Sequence, residues 1–219
     1  MTSPTTISVI VPVHNGADLI ARALDSIANQ THPITEVIVV DDGSSDHLRE
    51  LLASTHFEGQ LISRSHNGQG AAINAGIRAA RGEFLTFLDH DDEWTPEKTA
   101  WQVHALDNSN SHVVVGSVVN RFTSPEGAIT DQPMGPARVL GAALIRREAF
   151  EQVGSFPEDS RTHEIFDWWS RSEGKIDTLI DPQPALIRHV HGGNQTLRLE
   201  HRDRRDLIAR IRAHRQRHD

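Results

Sequence analysis

Cysteine is absent from the 219 residues, which removes disulfides, thiolate nucleophiles and cysteine-ligated zinc. Any metal must then sit on carboxylate, imidazole, carbonyl or water, a donor set that favours Mg²⁺ or Mn²⁺. Tyrosine is also absent, and the 22 basic residues include only two lysines, Lys98 and Lys175. No apolar run approaches the roughly eighteen residues of a spanning helix. The start, Met1-Thr2-Ser3-Pro4, lacks the basic residues and apolar stretch of a secretory signal. The expectation is a cytoplasmic protein without a transmembrane segment, able to sit peripherally at the inner membrane face. Positive charge is scarce too: 30 acidic residues outnumber the basic ones, for a net charge of −8. The tail Arg198–Asp219 alone is basic, with eight Arg against four acids, so residues 1–197 carry −12. That balance excludes a nucleic-acid binder, whose body is normally basic.

What is present is an ordinary globular mixture, 37% hydrophobic and 24% charged. It fits one domain over 1–197 with an Arg-rich helical tail over 198–219. The first half, 1–106, alternates strand and helix. Ile7–Val13 is apolar almost throughout, as a strand covered on both faces should be. Leu19, Ile20, Ala23, Leu24 and Ile27 then recur at helical spacing. Glu36–Val40 is a second buried strand, and Ser44 or Ser45 is placed to cap a helix carrying Leu48, Leu51 and Leu52. Gln60–Ser63 reads as a strand, Gln69–Ala80 as a helix, and Glu83–Leu88 as a fourth strand. Thr95-Pro96 reads as N-cap and first-turn proline of a helix running to Leu106. This alternation predicts an α/β fold with a mostly parallel, Rossmann-like sheet flanked by helices. The second half, 107–197, is less regular. His112–Phe122 is a long strand, Thr123–Arg138 a Gly/Pro-rich loop, and Arg147–Val153 a short helix. Glu164–Ser172 is a helix, Ala185–His191 a strand, and Leu199–Arg215 the final helix.

In an open parallel sheet, ligands bind beyond the carboxyl ends of the strands. The first strand delivers Pro12, His14 and Asn15 there, the second Asp41 and Asp42, and the fourth Asp89, Asp91 and Asp92. So many carboxylates in one crevice repel unless a cation or N–H donors neutralise them. Turn formation explains any one of them; three acids directly after an apolar strand exceed what a turn requires.

Taken in order, Ile7–Asn15, Val39-Val40-Asp41-Asp42-Gly43-Ser44-Ser45-Asp46, Asn67–Gly76 and Phe87-Leu88-Asp89-His90-Asp91-Asp92 resemble the family-2 glycosyltransferases of the GT-A fold. The last segment is similar to that family's DXD element. The resemblance implies a metal-dependent transferase moving a sugar from a nucleotide-diphosphate donor, a UDP-sugar foremost, to an acceptor hydroxyl. The acceptor would be a glycan, small molecule, peptide or lipid-linked glycan. Displacement would be single and inverting. Pro12, His14 and Asn15 would line the nucleoside, with His14 standing where the family commonly has an aromatic Tyr. One of Asp41 and Asp42 would accept from a base N–H. Arg64, Asn67, Gly70 and Asn74 would surround the ribose and sugar, with Asp89 and His90 beside them. The third glycine of a dinucleotide-binding fingerprint is missing after Gly68-x-Gly70, so that rival reading fails. Asp91 is the expected direct ligand of Mn²⁺ or Mg²⁺, with Asp89 on the ribose or a metal-bound water and His191 as a third ligand.

His163–Arg171 resembles the family's acceptor-side helix, with Ile165 where an Asp often follows the first acid. Glu164 and Asp167, three apart and so on one helix face, are the candidates for general base, Asp167 preferred. Trp168 and Trp169 are expected to divide between core and a sugar-stacking platform. Two rival enzyme classes fail on lysine: a haloacid-dehalogenase-like phosphohydrolase and a receiver domain both need one where this chain has none. The remaining alternative is a pseudo-transferase that binds a nucleotide-sugar without transferring it, for which Ile165 is the best support.

Overall fold

The computed structural model describes residues 5–55, 57–158 and 164–191. Its elements run β1 (Ile7–Val13), α1 (Ile20–Ala28), β2 (Glu36–Asp42), α2 (Leu48–Ser54), β3 (Gln60–Arg64), α3 (Gln69–Ala79) and β4 (Phe84–Phe87). They continue with β5 (Glu93–Trp94), α4 (Lys98–Asp107), β6 (Val113–Thr123), β7 (Ile129–Pro136), β8 (Ala143–Arg146), α5 (Arg147–Val153), α6 (Glu164–Ser172) and β9 (Thr178–Val190). The strands form one sheet in the order β3-β2-β1-β4-β8-β6-β9-β5, with β7 laid on β6. β3, β2, β1 and β4 are parallel. β8 then runs antiparallel between β4 and β6, while β6 and β9 pair in parallel.

Continuous burial of β1 and β4 follows from helices on both faces of the sheet. One face is packed by Ile20, Ala23 and Ile27 of α1 with Leu48 and Leu52 of α2. The other carries Ile73 of α3, Phe150 and Val153 of α5, and Trp168 of α6. The expected α/β architecture is therefore present, with differences in detail, among them the unforeseen strands β5 and β8. Thr123–Arg138 is not all loop: its centre is strand β7, a solvent-exposed edge hairpin partner of β6. β9 begins at Thr178, not Ala185, and passes through Pro182 and Pro184. The caps also differ. α2 starts after His47, and Asp46 Oδ1, not Ser44 or Ser45, accepts the Leu48 N–H. α4 starts after Glu97, because Thr95 Oγ1 is donated to the Pro184 carbonyl of β9 instead. The expected helix at Leu199–Arg215 lies outside the described residues.

Candidate active site

The carboxyl ends of β1, β2 and β4 open toward the first turn of α3, and that turn organises the acids around it. Asp42, 3% exposed, accepts the Gly68 N–H at 2.8 Å and the Asn67 N–H at 3.1 Å. Gly68 has φ +91 and precedes α3, a conformation that favours glycine. One residue on, Gln69 Nε2 donates to Asp89 Oδ1 at 2.9 Å. The Gly70 N–H points to Glu164 Oε1 of α6 at 3.3 Å. Three acids from distant stretches of sequence thus meet one helix start, whose N–H groups and dipole favour negative charge.

Asp41 has a local task. Its Oδ1 accepts the Ser44 N–H at 2.8 Å, closing the turn after β2. Asn15, at φ +52, staples that turn to β1: its N–H donates to Ser44 Oγ, and its Oδ1 accepts the Ser45 N–H. Pro12 is buried within β1 opposite Val40. The His14 ring stacks on His66 with centroids 4.2 Å apart, and each Nδ1 lies within 3.1 Å of the Asp42 carbonyl oxygen. His66 Nδ1 is also 2.9 Å from Asp42 Oδ2. Arg64 Nε approaches Asp42 Oδ1 at 3.5 Å, while its Nη1 is buried with no acceptor among the described residues. His90 packs against Gly16, where a Cβ would fall 2.1 Å from the imidazole. Asn67 lies exposed at the rim.

The acidic turn after β4 is held by β9. Asp91 Oδ2 faces His191 Nε2 at 3.1 Å. Asp92, 5% exposed, accepts the His189 N–H at 3.0 Å. Burial and the charges of Asp89 and Asp91 push the Asp92 carboxyl up to about 8, which keeps it protonated at neutrality. Asp89 keeps an exposed face, yet crowding by protein atoms and the Asp91 charge raise it to about 6. The expected trio of metal ligands does not gather: no cluster of three His, Cys, Asp or Glu ligands exists among the described residues. Asp89 is turned to Gln69 instead. Asp91 and His191 nevertheless fit one divalent ion, since Mg²⁺-like ions commonly take only one or two protein groups and complete their shell with phosphate oxygens and water.

Other expectations are corrected by packing. Asn74, 2% exposed, bonds the Phe156 backbone on both sides and Glu158 Oε1, so it ties α3 to the 156–158 loop. The space at Gly70 is taken by the Pro157 carbonyl and Glu164, which a Cβ would meet at 2.4 and 3.0 Å. Trp168 and Trp169 both lie in the core with Phe150 and Phe156, at 0% and 4% exposure; their indole faces are spent on packing. Asp167 is engaged by Arg171 Nε at 2.7 Å, and Arg171 also donates to the Val153 and Ser155 carbonyls. His66 and Gln69 were not foreseen. Their roles come from contacts across the sheet edge that no spacing in the sequence reveals.

This arrangement is that of a GT-A fold. The family model for glycosyl transferase family 2 matches residues 8–189, and the chain belongs to that family. It is 39% identical over 221 residues to an uncharacterized glycosyltransferase of Nostoc sp., covering 86% of this chain and 66% of the relative. S. aureus TarS in complex with UDP-GlcNAc superposes with a TM-score of 0.74 at 21% identity, over 90% of this chain and 62% of that one. The Pyrobaculum calidifontis mannosyltransferase PcManGT, in complex with GDP-Man and Mn²⁺, does so at 0.65 and 22%, over 88% and 59%. The chain thus spans less than two thirds of each. No described helix is long and apolar enough to cross a membrane.

Proposed function

We propose that this chain transfers a sugar from a nucleoside diphosphate donor to an acceptor hydroxyl, with a UDP-sugar as the foremost donor. The observation that carries the reading is the convergence of Asp42, Asp89 and Glu164 on the first turn of α3, beside the Asp91–His191 pair. The His14–His66 stack and Asp42 would hold the base. The unpartnered N–H of Arg64 would meet a ribose or phosphate oxygen, since a buried donor left unpaired is costly. Asp91 and His191 would hold Mn²⁺ or Mg²⁺, which supplies Lewis-acid stabilisation of the departing diphosphate. The acceptor oxygen would attack the anomeric carbon as the bond to the diphosphate breaks, and its proton would pass to a carboxylate. Of the two candidates Glu164 is the better supported, because Asp167 is committed to the Arg171 clamp. A binding-only role is the second reading, favoured by Ile165, which packs against the core where the family often carries an acid.

Calorimetry with UDP and GDP, with Mn²⁺ and with EDTA, tests the donor half; UDP-sugar hydrolysis tests the chemistry. Binding supported by Mn²⁺ together with slow hydrolysis is the expected result. Binding with no hydrolysis or transfer under any acceptor would favour the second reading, and no nucleotide binding would overturn both.

A further inference from the structure

The acidic turn is gripped from beneath by one face of α1. Arg22 and Ser26 stand one helical turn apart, and Gln30 continues their row just past the helix end. Arg22 Nη2 donates to the Asp91 carbonyl at 2.7 Å. Ser26 Oγ accepts the Trp94 N–H at 3.1 Å. Gln30 donates to the Thr95 carbonyl at 2.9 Å and accepts from the Thr99 N–H and hydroxyl at 3.0 Å. The row holds residues 91–99 along α1, and Arg22 is its end nearest the candidate metal ligand. Among the described residues the Asp91 carbonyl is the hydrogen-bond acceptor shown for this guanidinium, whose Nε is buried.

We infer that Arg22 is a positioning residue: by fixing the Asp91 peptide it presets the Asp91 carboxylate, opposite His191, for a divalent ion on the donor diphosphate. The inference rests on the functional reading above. Its physical ground is geometric: Arg22 Nη2 holds the backbone carbonyl of Asp91, while the Asp91 carboxylate stays turned to His191. A bond to the backbone restrains the turn without occupying a carboxylate lone pair. Groups that orient a metal ligand from behind typically govern affinity by about 10–100-fold.

The test uses the full chain, UDP as probe, and calorimetry in Mn²⁺ and in EDTA, with melting temperature read without metal. Arg22→Met removes the N–H donors and keeps the apolar stem; Arg22→Gln, too short to reach, is the second variant. Both should lose the Mn²⁺-dependent gain in UDP affinity by about tenfold or more, with affinity in EDTA unchanged. Ser26→Ala, on the same row without touching Asp91, should lower the melting temperature and keep the gain. The inference falls if either Arg22 variant binds UDP with the wild-type Mn²⁺ gain, or if Ser26→Ala loses as much. A wild type with no Mn²⁺ gain would sink the proposed metal dependence itself and this inference with it.

Discussion

Asp41 and Asp42 are neighbours, yet their carboxylates serve different ends, and the difference is testable. Asp41 closes its own turn, whereas Asp42 is buried and fastens the Asn67–Gly68 backbone to the end of β2. Asp42→Asn keeps the shape, removes the charge and replaces one of the two acceptor oxygens with an NH2 donor, which weakens the hold on the Asn67 and Gly68 N–H groups. Hydrogen bonds to charged groups contribute about 1.5–3 kcal/mol each, so urea unfolding should show a loss of that order for Asp42→Asn. A loss equal to that of Asp41→Asn would contradict the distinction. Gln69 offers the converse case. Gln69→Leu preserves helix propensity and should leave the melting temperature near wild type, while weakening UDP binding through a disoriented Asp89. Unchanged UDP affinity would remove Gln69 from the site. The acids themselves were legible in the sequence, because three of them after an apolar strand exceed what a turn needs. Gln69, His66 and Arg22 were not, since a neutral amide, a lone imidazole or a helix arginine gains its role only from what folds against it. Asn74 was expected beside the ribose and sugar from its motif position; in the fold its amide bonds the Phe156 backbone and Glu158.

At the scale of elements, the parallel half was readable because its strands are buried on both faces and stop abruptly at polar turns. β8 has only four residues, Ala143–Arg146, directly followed by α5, and so no periodicity of its own. β7 is exposed along nearly its whole length and carries Pro133 and Pro136, which suit an edge strand but read as loop. β9 hides its first half behind Pro182 and Pro184. Helix α6 was placed correctly, but its acids do not share one task. Arg171 fastens it through Asp167 and through the Val153 and Ser155 carbonyls. Arg171→Ala should therefore cost about 2 kcal/mol or more by leaving two carbonyls and Asp167 without donors. Asp167→Asn should cost less, since Arg171 keeps its carbonyl partners. In sugar transfer or donor hydrolysis the order should invert. Glu164→Gln should slow the reaction by about 10²–10⁴, the range for a lost general base, with Asp167→Asn near wild type once folded. A rate loss confined to Asp167→Asn would return the base to that residue.

At the scale of the molecule, a parallel half and a mixed half share one sheet, joined where β4 meets β8. That seam is fastened by α4. Lys98, with no exposed surface, donates Nζ to Thr86 Oγ1 of β4 at 2.9 Å and to the Ala143 carbonyl of β8 at 3.2 Å. Its nitrogen also sits 4.1 Å from the centroid of the Trp94 ring. Gln102 adds a bond to the Ala142 carbonyl. No carboxylate accompanies Lys98 in these contacts, and burial drives its pKa well below 10.5. The folded chain therefore holds a neutral amine over a range of pH in which the unfolded chain is protonated. The unfolded state binds the extra proton there, so stability rises with pH from the folded pKa up to about 10.5. One such group contributes at most about 1.4 kcal/mol per pH unit. Lys98→Met fills similar volume with an apolar chain, and Thr86 Oγ1 still has the Ala143 carbonyl as its own acceptor. The variant should lose the upward slope that this one group adds, because the folded and unfolded states then differ by one titrating amine fewer. Urea unfolding of both proteins from pH 7 to 10 isolates the effect, since every other titrating group is common to the two. The wild type should gain stability relative to Lys98→Met as pH rises. Parallel curves would mean that Lys98 keeps its charge in the folded chain, with the ring of Trp94 and the two oxygens sufficing to hold an ammonium at the seam.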